Sequence, residues 1–205
     1  MKRTRSLKSA IRLAVIGAGG ISIPSPLRLA YLDRDCETYQ ARYGTPMPVD
    51  IWSVHAFTLR EEEGSWGVGI PPGEEATTGE LYEIEQHGDV ALFIRHIHDF
   101  RAWMAANGYQ NTPLAVTEFG ILLPADYGFP DELVANYMRT TIEYMRTATG
   151  ETGYPADDNR LVQYWFWYSI YDDGAYPTGD LYDPGTGELT PLGEAYREYV
   201  LSLGD

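Results

Sequence analysis

A single cysteine, Cys36, leaves the 205-residue chain without an intrachain disulfide or a metal centre built from several thiolates. Basic residues are scarce as well. Fifteen lysines and arginines stand against thirty aspartates and glutamates, a formal net charge of −15. Such a surface lacks the clustered cations that displace counterions from nucleic acid or dock on an anionic bilayer, so neither is an expected partner. A neutral or cationic ligand fits the charge better. Long apolar runs are absent too, and nothing in the sequence has the length and hydropathy of a bilayer span. The histidines and carboxylates show no metal-ligand spacing, and no metal or cofactor is expected.

What the chain has is aromatic surface. Hydrophobic residues make up 44% and aromatics 13%, with sixteen Tyr and five Trp, enough for one core and too little for two comfortable domains. Flat apolar rings with polar tips suit sugar-binding clefts and ordinary cores alike. The amino terminus carries Lys2, Arg3, Arg5, Lys8 and Arg12 before a brief apolar run at 13–16. Gly17, Gly19 and Gly20 break that run and no A-x-A pattern follows, so it does not read as a signal peptide. Residues 1–11 form a basic leader, and 12–205 a single domain.

Along that domain, strands alternate with helices. "RLAVIGAGGISI" reads as a buried strand entering a glycine-rich turn, and Pro24 and Pro26 precede a helix with Leu29, Leu32, Cys36 and Tyr39 at helical spacing. Cys36 is read as a core residue. "VDIWSVHAF" is a second strand, followed by a Gly- and Glu-rich loop over about 60–85 and a helix over about 88–107 that ends at Gly108. Residues 113–117 make a third strand, and its helix begins at Pro130-Asp131, with Leu133, Val134, Tyr137, Met138, Ile142 and Met145 aligned. "LVQYWFWYSI" is the fourth strand, and a last helix follows Thr190 as N-cap.

Four β-loop-α units in a row imply an α/β fold with a parallel sheet, whose functional loops follow the carboxyl ends of the strands. Glu118, immediately after the third strand, then sits where catalytic residues of such folds cluster. His55 and Tyr168 close the second and fourth strands, and Trp165 and Trp167 lie just before the latter. His96 and His98 read as surface or boundary residues of a helix. Glu61, Glu62, Glu63, Asp172 and Asp173 read as solvated loop charges.

At this point the motifs resemble a known group. "LAVTEFG" resembles the seventh-strand motif of retaining glycoside hydrolases built on (β/α)8 barrels, "VDIWSVHAF" their sixth strand, "QYWFWYSIYD" their eighth, and "LYDPGTGELTPLGEAYREYV" their ending. The resemblance covers residues 12–200. It implies a partial TIM barrel, with about four units corresponding to strands five to eight, and a polysaccharide or oligosaccharide ligand. Glu118 would be the nucleophile, with His55 and Tyr168 holding the carboxylate or a sugar hydroxyl and Trp165 or Trp167 stacking on a pyranose.

The sequence departs from that pattern in one place. The group carries its acid/base glutamate after strand four, usually in an Asn-Glu pair, and no Asn-Glu pair occurs in the chain. The resemblance therefore implies weak or no turnover by this segment alone. It also implies two uncovered sheet edges, which a homodimer, a separate amino-terminal half barrel or nothing at all would cover. Two other readings stand beside it. One is a non-catalytic carbohydrate-binding protein that keeps the barrel surface. The other is a dinucleotide site at residues 17–20, disfavoured because the next strand ends at His55 instead of an acidic residue, and because Pro24 and Pro26 delay the helix.

Overall fold

A computed structural model describes residues 15–204; the basic leader at 1–11 lies outside them. Four strands, β1 (Gly17–Ile21), β2 (Ile51–His55), β3 (Leu114–Phe119) and β5 (Tyr164–Trp167), pair all-parallel in that order. Between β3 and β5 lies β4 (Thr149–Tyr154), which bridges back to Arg160 instead of joining the sheet. Helices α1 (Pro26–Tyr43), α2 (Val90–Ala106) and α3 (Asp131–Thr147) connect the strands, and α4 (Pro191–Ser202) follows a short hairpin, β6 (Tyr182–Asp183) with β7 (Glu188–Leu189).

Local chemistry accounts for the helix ends. Ser25 accepts from the Arg28 amide at the start of α1, and Gly44 closes that helix in the left-handed conformation. Asp89 caps α2 through the amides of Ala91 and Leu92, and Thr190 caps α4 through Gly193 as its position predicts. Two expectations need correction. Gly17, Gly19 and Gly20 lie inside β1 instead of in a turn after it: a side chain on Gly19 would stand 2.1 Å from the Ser53 carbonyl, and Gly19 and Gly20 take positive φ where the register with β2 shifts. Leu133 faces solvent at 39% exposure, while its helical neighbours Val134, Tyr137 and Met138 are buried.

The core fills one face of the sheet. Trp52 lies under α2, edge-on to Trp103 at 4.8 Å and to Tyr109 at 5.1 Å between ring centroids, and Phe93, Phe100 and Met104 complete the layer. Cys36 is half-buried and packs on the rim of this core instead of within it. On the other face no helix covers the sheet among the described residues. Val15, Tyr164 and Phe166 stand there at 76%, 53% and 57% exposure, around a shallow apolar concavity that Ile51 and Ala115 floor.

One charged group is buried in the core. Arg101 of α2 is fully buried and donates to the carbonyls of Leu161 at 2.5 Å and Thr112 at 3.1 Å and to Gln163 Oε1 at 2.5 Å, while the Leu114 amide donates to the same Gln163 oxygen. Burial lowers its pKa to about 10, so the guanidinium keeps its charge at neutral pH. It ties the amino-terminal ends of β3 and β5 to α2. Arg101→Met leaves all three oxygens without that donor, and the expected loss is about 3 to 5 kcal/mol of stability by urea unfolding. A loss under about 1 kcal/mol would show that water or relaxed backbone replaces the guanidinium.

Candidate active site

Regular pairing would place Glu118 on the wrong side of the sheet. In β3, Leu114 and Val116 point to the core and Ala115 and Thr117 away from it, so strict alternation sends residue 118 back to the core. The register shows why it does not go there. Val54 pairs with Val116, but the next pair is His55 with Glu118, and on the other side Val116 pairs with Trp165 and Phe119 with Trp167. One extra residue in β3 is a bulge, which turns Glu118 toward His55 and returns Phe119 to the core.

His55 Nδ1 lies 3.2 Å from Glu118 Oε2. The two polar groups lie within ion-pair range, without the alignment of a hydrogen bond. Burial lowers the His55 pKa more than the Glu118 charge raises it, and the net shift is downward. Burial thus favours the neutral imidazole beside the Glu118 side chain. The His55 ring meets Phe57 edge-on at 6.4 Å, and Phe57 meets Tyr168 at 6.2 Å. Burial and the nearby charges of Asp172 and Glu118 raise the Tyr168 pKa, so its hydroxyl stays protonated as a donor.

These groups line a cleft of about 310 Å³ at the carboxyl ends of the strands. Its far wall is Trp66, Gly67 and Val68 from the segment after β2, and Tyr176 stands at one side, 6.4 Å from the Tyr168 ring. Glu118 is the one carboxylate among the residues lining it. The backbone there is close-packed, because a side chain at Gly120 or at Gly179 would meet the Tyr168 carbonyl within 2.6 Å. Beneath the cleft, Ile23, Phe57 and Leu59 form a small buried cluster against which Trp66, Val68, Leu122 and Tyr168 pack.

No family profile and no curated protein matches the chain. Among solved structures, an endo-β-1,3-glucanase of GH128 subgroup I from Amycolatopsis mediterranei, in complex with laminarihexaose, aligns with a TM-score of 0.49 at 15% identity, over 90% of this chain and 58% of that one. A monomeric β-xylosidase from Caulobacter crescentus gives 0.49 at 14%, over 93% and 34%, and β-glucosidase 2 from Trichoderma reesei 0.45 at 14%, over 92% and 51%. The chain thus spans between about a third and three fifths of their lengths.

The cleft gathers His55, Glu118 and Tyr168, which the sequence singles out, and leaves out two others. Trp165 and Trp167 point toward the helices: Trp167 donates to the Gly179 carbonyl at 2.8 Å and packs edge-on against Phe119, and both indoles line a groove beside α3 and α4. Strand alternation leaves Tyr164 and Phe166 on the other face. The indole that reaches the cleft is Trp66, carried by the long loop. Glu61 is also corrected, since it is completely buried instead of solvated. His96 is buried too and lies 3.2 Å from the Tyr82 hydroxyl, whereas His98 is a surface residue beside Tyr144 as expected. His87 goes unread in the sequence, yet it links two loops under the cleft by accepting from the Leu122 amide at 2.8 Å and donating to the Thr58 carbonyl at 2.8 Å. Among the described residues no cluster of His, Cys, Asp and Glu could hold a metal, and no helix is long and apolar enough to cross a membrane.

Proposed function

We propose that this cleft is the nucleophile half of a retaining glycosidase site, carried on four of the eight units of a (β/α)8 barrel. The observation that carries the reading is the bulge that brings Glu118 within 3.2 Å of His55 in an aromatic-walled cleft at the strand ends. The sequence motifs around both residues support it. His55 stands 3.2 Å from one carboxylate oxygen and orients the group. The other oxygen attacks the anomeric carbon, the C1–oxygen bond to the carboxylate forms, and the bond to the leaving group breaks with its electron pair on the departing atom. Tyr168 supplies a hydroxyl donor, and Trp66 and Tyr176 offer flat faces to a pyranose.

Retention also requires a general acid about 5 to 5.5 Å from the nucleophile, which protonates the leaving oxygen and later activates water. The cleft has no second carboxylate among its lining residues, so that group comes from outside this segment, and general acid-base assistance is typically worth about 10² to 10⁴-fold. Four further βα units, from a second copy or from a separate half barrel, would cover the open sheet face and could bring it. Alone, the chain binds an oligosaccharide and turns it over weakly. The missing carboxylate equally favours a second reading, a carbohydrate-binding protein without catalysis.

Activated 2-fluoro-glycosides separate the two, because fluoride or dinitrophenolate leaves without a proton. Intact-mass analysis is expected to show one adduct per chain, stable for lack of the base that would release it, and peptide mapping to place it on residues 114–123. Failure of glucosyl, xylosyl, mannosyl and galactosyl reagents alike would leave the binding reading in its place.

A further inference from the structure

Glu61 is a buried charge that the mechanism above does not use. Its carboxylate is completely buried, with Oε1 2.9 Å from Arg28 Nε, and neither oxygen has a well-aligned hydrogen bond. Leaving a charge in that state costs free energy, and an apolar pair of the same volume is often as stable or more so. Position explains what stability does not. Arg28 is fixed in the first turn of α1, where its amide donates to the buried Ser25 hydroxyl. From there its fork reaches two points of the loop, the Glu61 carboxylate and, through Nη2 at 2.5 Å, the Gly69 carbonyl. Those two points bracket Trp66.

The loop between them is folded. The Val68 amide donates to the Arg60 carbonyl at 2.9 Å and the Glu62 amide to the Val68 carbonyl at 3.2 Å, which closes the turn carrying Trp66. A third stretch lies alongside, because the Glu61 amide donates to Glu80 at 2.8 Å and the Gly79 amide to Glu61 at 2.7 Å. Gly79 also rests on the carboxylate itself, and a Cβ there would stand 2.0 Å from Oε2. All three stretches of the flap therefore meet at one ion pair.

We propose that Arg28 and Glu61 are positioning residues that hold the Trp66 wall of the cleft at the height a pyranose ring needs, and so set which oligosaccharide the site accepts. The proposal rests on the sugar-binding reading of the cleft. Without the pair, the 62–69 turn keeps its bonds to residues 77–80 but loses its tie to the first turn of α1, while the sheet, His55 and Glu118 stay in place.

The test uses Arg28→Lys, which keeps the charge and loses the fork, Glu61→Gln, and Trp66→Ala, alone and combined. Hydrogen exchange is read at the Glu62 and Val68 amides, and affinity by titration with laminarihexaose, cellohexaose and xylohexaose. Either pair variant is expected to speed exchange at those two amides about tenfold or more while amides of β2 and β3 stay protected. Each is also expected to weaken the best-bound hexasaccharide about tenfold, as Trp66→Ala does, and the double variants to be no weaker than Trp66→Ala alone. Additive losses, or unchanged exchange at Glu62 and Val68, would overturn the positioning role. If the unaltered chain binds none of the three sugars, the sugar-binding reading and the role in sugar selection fall together, and exchange still decides whether the pair pins the flap.

Discussion

Glu118→Gln is expected to abolish covalent labelling by activated fluoro-glycosides, with no adduct over hours under conditions that label the unaltered chain fully. Glutamine keeps the shape of the side chain, so the cleft should survive and the test isolates the nucleophile. An amide oxygen does not displace fluoride from an anomeric carbon at a useful rate, and no other carboxylate lines the cleft to replace it. A second consequence runs through the imidazole. The Glu118 charge is the one cause that raises the His55 pKa against burial, so its removal moves His55 titration further down, which ring-proton NMR would register. An adduct that persists in Glu118→Gln would assign the nucleophile elsewhere, with Asp172 next to examine. An adduct that is lost while the His55 titration stays unchanged would show that the two side chains do not touch in solution.

Mild acid is expected to destabilise the protein well before its carboxylates titrate. Burial lowers the pKa of both His87 and His96 from 6.5 to about 4. The unfolded chain then binds more protons than the folded one between these values, so stability rises with pH. The contribution is whole above about pH 6.5, erodes as pH falls, and is gone below about pH 4. Each shift of about 2.5 units corresponds to about 3 kcal/mol in full and about 2 kcal/mol by pH 5, against a total of about 5 to 15 kcal/mol for a typical domain. The urea midpoint should therefore fall steeply between pH 7 and pH 5. His87→Gln can keep an acceptor for Leu122 and a donor for Thr58 without titrating, and is expected to remove about half of the slope. A slope unchanged in that variant would assign the acid sensitivity to other groups.

The order of elements was legible because short apolar strands and amphipathic helices differ in period, and four such alternations are hard to arrange otherwise; the sequence did not show that β1 and β5 stay largely exposed on one face. Glu118 was legible for a related reason, as a charge abutting an apolar strand. Its orientation was not. Nothing in "LAVTEFG" announces the extra residue, since a bulge is a property of pairing with β2 and β5 and not of β3 alone. The tryptophans failed through parity: in "YWFWY" every residue is aromatic, so period-2 reading has no polar face to fix which side is inward. Trp66 and Glu61 were hidden because the Gly- and Glu-rich composition of their segment suggested a solvated loop, whereas its hydrogen bonds to residues 77–80 and its ion pair with α1 make it a folded flap. β4 and the β6–β7 hairpin are short and polar and leave almost no pattern.

The uncovered sheet face has a further meaning for the chain in a cell. Exposed apolar side chains draw chaperones and proteases, and among the described residues Tyr164 and Phe166 present that signal on this face. Covering those rings is then expected to lengthen the protein's cellular lifetime, so abundance measured with and without a co-expressed half barrel reports on whether a covering partner exists.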